Sequence, residues 1–129
     1  MFTGEIPHTC RVLIVEDNID LCTVFKAMLK KVCHFHVENT LKGALSYLAD
    51  HRPTVMFLDN NLPDGSGISS IATIRDKHPQ ANIVVMTADA TEGLAERALA
   101  AGAARFLPKP FSATMLKEVI KTACLRSRG

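Results

Sequence analysis

The chain of 129 residues has no tryptophan, and aromatic residues make up only 5% of it. It has no apolar run long enough to span a bilayer, and residues 1–10 lack the apolar core of a signal peptide. We therefore expect a cytoplasmic protein without membrane contact. The formal charge of +2 is too small to indicate nucleic-acid binding by bulk electrostatics, so we expect no direct nucleic-acid contact either.

Paired metal and redox motifs are also missing. The chain has four cysteines and no CxxC pair: Cys10, Cys22, Cys33 and Cys124. In a reducing cytosol we expect all four to be free thiols, three of them in or near packed surfaces. His34 and His36 could share a strand face and bind a metal. Two histidines without further ligands are a weak signal, so we expect both to be solvated or packed.

Short β-branched runs alternate with apolar stripes at helical spacing along the chain. The runs cover residues 11–15, 34–37, 55–58, 82–87 and 104–108. Continuous apolar runs are typical of strands covered on both faces, as in a parallel sheet. Five βα units in a row predict an α/β fold with a doubly wound, five-stranded parallel sheet of flavodoxin-like order 2-1-3-4-5. We expect one domain over residues 1–129, with a core from about 11 to 125.

The five stripes predict the buried faces of five helices, with Gly102 as the C-cap of the fourth and Ser112 as the N-cap of the fifth. Their members are Leu21, Val24, Phe25, Met28 and Leu29; Leu41, Ala44, Leu45 and Leu48; Ile68, Ile71 and Ile74; Leu94, Ala98 and Leu99; and Met115, Leu116, Val119, Ile120 and Ala123.

Polar residues follow the predicted strands at the edge where such sheets bind ligands. They are Glu16 and Asp17 after the first strand, Asp59 at the end of the third, Thr87 and Asp89 at the fourth, and Lys109 after the fifth. Each has a simpler explanation alone: Asp59 as a turn residue, Asp89 in a capping box with Glu92, and Lys109 as a solvated loop residue. Together they indicate a site, because clustered carboxylates repel unless a cation lies among them.

The chemistry of that set fits phosphoryl transfer. Mg²⁺ takes one or two carboxylates, waters and a phosphate as ligands. A carboxylate such as Asp59 can attack phosphorus to form an acyl phosphate. The metal, the Lys109 ammonium and the Thr87 hydroxyl can then stabilise the charge on the phosphoryl oxygens.

The pattern "LIVEDN … FLDNNLPDGSG … VVMTAD … GAARFLPKPF" resembles the receiver domain of two-component response regulators over about residues 11–125. The resemblance implies that Asp59 accepts a phosphoryl group from a phosphohistidine on a sensor histidine kinase or a histidine phosphotransfer protein. It implies no enzyme activity beyond self-catalysed phosphorylation and dephosphorylation. Mg²⁺ would be bound by the Asp17 and Asp59 carboxylates and the Asn61 backbone carbonyl, with Glu16 acting mostly through water.

The same resemblance assigns the switch. Thr87 and Lys109 would contact the phosphoryl group, and a cis peptide bond would precede Pro110. The Thr87 hydroxyl would move towards the phosphoryl group, and Phe106 would fill the space it leaves. Phe106 has no hydroxyl to offer at the surface, unlike the tyrosine of other receivers.

Two residues near the phosphoryl group, Asn61 and Asp89, would tune the lifetime of the acyl phosphate. The face of the fourth helix, fifth strand and fifth helix, roughly residues 94–125, would contact an unknown output partner or form a phosphorylation-dependent dimer. The phosphoryl donor would dock on the first helix, where Asp20, Lys26 and Lys30 are candidates for pairing.

Other classes with related architecture fit less well. A haloacid dehalogenase-type phosphatase would need a general acid where this chain has Asn61. An FMN-binding flavodoxin would place a phosphate against three acids, and a P-loop is absent. A receiver-shaped interaction module that works without phosphorylation remains an alternative. The sequence does not choose between a single-domain regulator and part of a larger regulator or hybrid kinase.

Overall fold

The structure, a computed structural model, describes residues 10–89 and 91–128, with side chains through residue 125. The strands are β1 (Arg11–Val15), β2 (His34–Glu38), β3 (Val55–Asp59), β4 (Asn61–Leu62), β5 (Gly65–Ser66), β6 (Asn82–Thr87) and β7 (Arg105–Pro108). The helices are α1 (Ile19–Leu29), α2 (Leu41–Leu48), α3 (Gly67–Lys77), α4 (Leu94–Ala101) and α5 (Ala113–Arg128).

Five strands form one parallel sheet in the order β2-β1-β3-β6-β7. This confirms the predicted strand order, since β4 and β5 form a separate antiparallel pair. Every residue of the central strand β3 is buried. In the register of the sheet, Asp59 lies beside Met86 of β6, at the carboxyl edge.

The core has two layers because alternate side chains of each strand point to opposite faces of the sheet. Ile14 and Phe57 pack with α1 and α5, where the rings of Phe25 and Phe57 meet edge to face with centroids 5.1 Å apart. Leu13 and Met56 pack with α2, α3 and α4 on the other face. This sandwich fixes the carboxyl ends of β1, β3 and β6 relative to one another.

Local hydrogen bonds define the helix ends. The Asn18 carboxamide oxygen accepts from the Leu21 amide at the start of α1, at 2.9 Å. The predicted caps are confirmed: the Ser112 hydroxyl accepts from the Met115 amide at 3.0 Å, and Gly102 has φ of 118° after α4. That left-handed conformation favours glycine.

One local prediction was wrong, and the simpler explanation for Asp89 is excluded. The stripes are wider than the buried faces, because Val24, Leu45, Leu99 and Met115 are 46%, 38%, 50% and 46% exposed. The capping box of Asp89 with Glu92 does not form, because α4 starts later, with Gly93 as its N-cap and no side-chain cap. The Asp89 carboxylate accepts instead from the Thr91 amide at 2.9 Å.

The prediction of four free thiols was wrong for two of them. Cys10 and Cys124 form a disulfide with Cα atoms 5.7 Å apart, and both are buried. The residue before β1 and the end of α5 are 114 positions apart in sequence, and the fold brings them to the same core layer. Cys22 and Cys33 are free.

The two histidines of β2 have different surroundings. His36 packs its ring parallel to Tyr47 with centroids 4.0 Å apart, and its Nε2 lies 2.6 Å from a carboxylate oxygen of Glu38. His34 is exposed. Within residues 10–89 and 91–125, neither belongs to a group of three potential metal ligands.

Candidate functional site

Three acidic side chains meet at the carboxyl edge of the sheet. Val15 and Asp59 end β1 and β3, which are neighbours, so Glu16 and Asp17 follow β1 directly beside Asp59. Glu16 is fully buried, Asp59 is 4% exposed, and Asp17 is exposed. One oxygen from each of the three carboxylates lies within 4.8 Å of the others. Hard oxygen ligands at this spacing suit a divalent cation such as Mg²⁺.

Lys109 supplies positive charge to this cluster. Its ammonium nitrogen lies 2.5 Å from Glu16 Oε1 and 3.5 Å from Asp59 Oδ2. The other Glu16 oxygen accepts from the Asn18 amide at 3.0 Å. Burial opposes ionisation of Glu16, but these hydrogen bonds outweigh it and hold the pKa of the carboxyl below its ordinary value. Glu16 is therefore the ionised partner of Lys109. The peptide bond from Lys109 to Pro110 is cis, as predicted.

Asp59 has the opposite electrostatic setting. Burial raises its pKa from 3.8 to about 6, the neighbouring Glu16 adds to the rise, and Lys109 opposes it. Its only hydrogen bond from the backbone in the described part of the chain is a long one, from the Asn61 amide at 3.3 Å. Few favourable interactions thus offset the cost of ionising the buried Asp59 carboxyl, and a cation bound beside it would stabilise the ionised form.

Thr87 and Asn61 lie at the same edge and contact each other. The Asn61 carboxamide donates to the Thr87 hydroxyl oxygen at 3.0 Å. The same oxygen accepts from the Asp89 amide at 3.0 Å. Asp89 therefore contacts Thr87 through its backbone, while its carboxylate is turned to Thr91 at the surface. Phe106, in β7, is half-buried against the layer of α2, α3 and α4.

The β4–β5 hairpin was not predicted, nor was a role for Asn60. Two-residue strands carry no periodicity that a sequence pattern could reveal. Asn60 is buried, and its side-chain oxygen accepts from the Ser66 hydroxyl at 2.8 Å and the Ile68 amide at 3.0 Å. The one signal in the sequence is a second polar residue directly after Asp59, which ends an otherwise apolar strand. Gly67 is required here, because a Cβ would lie 2.5 Å from the Asp59 carbonyl oxygen.

The family model of the response regulator receiver domain matches residues 12–121. The chain belongs to this family. It is a receiver domain of the kind found in two-component response regulators, and its five-stranded α/β fold is the receiver fold. The predicted family and function class are therefore confirmed.

Named relatives agree with this assignment. The chain is 30% identical to the chemotaxis protein CheY of Listeria monocytogenes over 117 residues, which is 88% of this chain and 97% of that protein. It is 33% identical to the response regulator protein PilR of Pseudomonas aeruginosa over 120 residues, which is 92% of this chain and 27% of PilR. A two-component response regulator from Clostridium difficile has the same fold, with a TM-score of 0.88 at 24% identity over 94% of this chain and all of that chain.

The receiver spans different shares of these relatives. It covers almost all of the Listeria CheY but only 27% of PilR and 50% of the transcriptional regulatory protein CitT of Bacillus subtilis. None of the helices in the described ranges combines the length and apolar character needed to cross a membrane.

Proposed function

We propose that Asp59 is the phosphoacceptor of this receiver. The supporting observation is its place at the carboxyl end of the central strand, beside Glu16 and Asp17 and 3.5 Å from the Lys109 ammonium. A carboxylate oxygen of Asp59 attacks the phosphorus of a phosphohistidine, the oxygen–phosphorus bond forms, and the phosphorus–nitrogen bond breaks. The histidine leaves with the bonding electron pair and takes up a proton.

The residues around Asp59 have separate tasks in this step. Asp17, Asp59 and the Asn61 backbone carbonyl would hold Mg²⁺, with Glu16 acting through water, and a bound ion would supply positive charge to the phosphoryl oxygens. The Lys109 ammonium lies close enough to Asp59 to form an ion pair with the transferred phosphoryl group. Thr87 keeps its hydroxyl hydrogen free to donate, because its two bonds within the described residues are accepted ones.

The phosphoryl donor is a sensor histidine kinase or a histidine phosphotransfer protein in the cytoplasm. A groove of about 300 Å³ beside Lys109, lined by residues of α1 and the β7–α5 loop, lies next to the acidic cluster. Ile19, at the start of α1, is 79% exposed, so an apolar partner surface can cover it. Asp20, Lys26 and Lys30 lie on the same helix or just past its end, and they are exposed and can set the choice of partner.

The output of the switch lies on the opposite side of Thr87. Phosphorylation replaces the single negative charge of the Asp59 carboxylate with a phosphoryl group that carries about one and a half to two negative charges and three acceptor oxygens. Movement of Thr87 towards that charge lets Phe106 turn inward and changes the surface of α4, β7 and α5. An unidentified partner or a second copy of the chain binds that surface. Asn61 and Asp89 set how fast water removes the phosphoryl group.

Intact-mass spectrometry after incubation with acetyl phosphate tests this proposal. The expected result is an adduct of one phosphoryl group that needs Mg²⁺, disappears in Asp59→Asn, and persists in Asp50→Asn. Asp50 is a matched control, because it is an exposed aspartate just after α2 and lies outside the cluster of Glu16, Asp17 and Asp59. An adduct on Asp59→Asn would assign the chemistry to another residue.

Absence of an adduct on the wild type would favour the alternative, a receiver-shaped interaction module that works without phosphorylation. Beryllofluoride separates a slow donor reaction from an inert site. If beryllofluoride with Mg²⁺ leaves the amide spectrum of the wild type unchanged, the site does not bind a phosphoryl group at all.

A further inference from the structure

Asn60 closes the base of the loop that follows the proposed phosphoacceptor. It is a polar residue only 8% exposed, directly after Asp59. Its side-chain oxygen accepts two hydrogen bonds, from the Ser66 hydroxyl at 2.8 Å and from the Ile68 amide at 3.0 Å. Its backbone carbonyl accepts a third, from the Gly67 amide at 3.1 Å. Three consecutive residues at the end of the loop are thus bonded to one residue at its beginning.

The loop between these ends carries Asn61. Asn61 pairs with Ser66 in the antiparallel β4–β5 ladder, so the position of Ser66 sets the position of Asn61. The Asn61 backbone amide donates to Asp59 Oδ1 at 3.3 Å, and the Asn61 carboxamide donates to the Thr87 hydroxyl oxygen at 3.0 Å. At the far end of the hairpin, Asp64 bonds the Leu41 and Lys42 amides of α2 at 2.8 and 2.9 Å.

The β4–β5 hairpin is therefore anchored at both ends by side chains. Asp64 holds its tip to α2, and Asn60 holds its base to α3. The Ser66 hydroxyl is fixed in orientation, since it donates to Asn60 and accepts from the Ser69 amide. Removal of the Asn60 oxygen would leave the buried Ile68 amide and the half-buried Ser66 hydroxyl without their acceptor.

We propose that Asn60 is a positioning residue for the phosphorylation site: its carboxamide oxygen holds the β4–β5 hairpin so that Asn61 faces Asp59 and Thr87. This inference rests on the proposed function, in which the Asn61 carbonyl binds Mg²⁺. Asn60 itself touches neither the metal nor the phosphoryl group. Its contribution is to fix the Asn61 carbonyl before the ion arrives, and outer residues of this kind change metal affinity about 10–100-fold when removed.

The test compares Asn60→Ala and Ser66→Ala with Ile74→Val. Ile74 is buried in the same helix as Gly67 and Ile68 but near its other end, and Ile→Val is a mild destabilisation of a packed core. It is the control for a loss of stability that leaves intact the hydrogen bonds of Asn60 with Ser66, Gly67 and Ile68, here called the clamp. Magnesium binding is measured by calorimetry, since the chain has no tryptophan to report it. We expect at least about tenfold weaker binding for Asn60→Ala, a smaller loss for Ser66→Ala, and no change for Ile74→Val.

A second readout does not depend on metal or phosphate. Amide hydrogen exchange and the side-chain NH₂ resonances of Asn61 report the hairpin directly. Asn60→Ala and Ser66→Ala should speed exchange at Asn61 and shift its NH₂ signals, whereas Ile74→Val should leave both as in the wild type. Ser66→Ala keeps the test open if Asn60→Ala does not fold.

The outcomes separate this inference from the proposed function. Unchanged Asn61 signals in both clamp variants would overturn the role of Asn60, whatever the wild type binds. If the Asn61 signals change in Asn60→Ala and Ser66→Ala but the wild type takes no phosphoryl group, the phosphoacceptor proposal is refuted and the role of Asn60 stands. Equal weakening of Mg²⁺ binding in Ile74→Val would show a general loss of stability, and it would also overturn the inference.

Discussion

Replacement of Asp59 by asparagine should stabilise the protein in the absence of metal. Burial and the neighbouring Glu16 raise the pKa of Asp59 from 3.8 to about 6. Ionisation is therefore harder in the folded than in the unfolded chain. The difference of about two pH units corresponds to about 3 kcal/mol, since one unit is worth 1.36 kcal/mol. Asparagine removes this cost and keeps an oxygen that can accept from the Asn61 amide.

The gain depends on pH in a defined direction. For an acid whose pKa is higher in the folded state, protonation adds stability at low pH, and this stability is lost as the pH rises through the folded-state pKa. The wild type therefore loses stability between about pH 4 and pH 7, and Asp59→Asn does not. We expect a gain of about 2–3 kcal/mol at pH 8, which falls below about 1 kcal/mol at pH 4.

Urea unfolding followed by far-ultraviolet circular dichroism in EDTA measures this gain at both pH values. In melting experiments it corresponds to roughly 10 °C at pH 8 for a domain of this size. Asp17→Asn is the matched control, because it removes the same charge from an exposed member of the same cluster and should gain less than half as much. Equal stability of Asp59→Asn and wild type at pH 8, or a gain of the same size at pH 4, would refute the electrostatic argument.

Other perturbations test separate contacts. Lys109→Ala leaves a fully buried glutamate without its partner and should cost about 3–5 kcal/mol in urea unfolding; a cost below 1 kcal/mol would contradict the ion pair. Gly67→Ala forces a Cβ against the Asp59 carbonyl and should cost about 1–3 kcal/mol. Cys124→Ser should lower the free energy of unfolding by about 2–5 kcal/mol, because it removes the disulfide. After unfolding without reductant, the variant should show one more reactive thiol than the wild type, since Cys10 is no longer paired.

The sequence predicts those parts of the fold that depend on local pattern. Buried strands are predicted by continuous apolar runs such as Val55–Leu58, and polar residues at the ends of these runs identify the edge of the sheet that carries the site. The sequence does not predict contacts between distant segments, and the disulfide of Cys10 with Cys124 is such a contact. The sequence also does not predict which residues at the edge of an apolar helical stripe are buried. Val24 and Leu99 have helical spacing but are exposed, because packing against other elements decides which edge is covered.

The candidate site also has one part that the sequence predicts and another that it does not. The residue types at strand ends are sufficient to predict the acidic cluster and its lysine, since parallel strands carry their carboxyl ends to one edge. The hydrogen bonds that connect Asn60, Asn61 and Thr87 are not predictable from spacing, because they depend on a hairpin of two-residue strands. Asp89 shows the limit most clearly: its position was predicted near the site, but its carboxylate bonds Thr91.

The bonds of Thr87 bear on how easily this receiver switches. Its hydroxyl oxygen accepts from the Asn61 carboxamide and the Asp89 amide, so both lone pairs are used, and the hydroxyl hydrogen has no acceptor among the residues that the structure describes. Movement towards a phosphoryl group on Asp59 would weaken both accepted bonds, at about 0.5–1.5 kcal/mol each. A hydrogen bond to a charged group returns about 1.5–3 kcal/mol. If Asp59 carries the phosphoryl group as proposed, cost and gain are of the same size, and the two positions of Thr87 would then differ by little free energy. Without that group only the cost remains and the unmoved position is favoured, so phosphorylation would shift the populations without remodelling the fold.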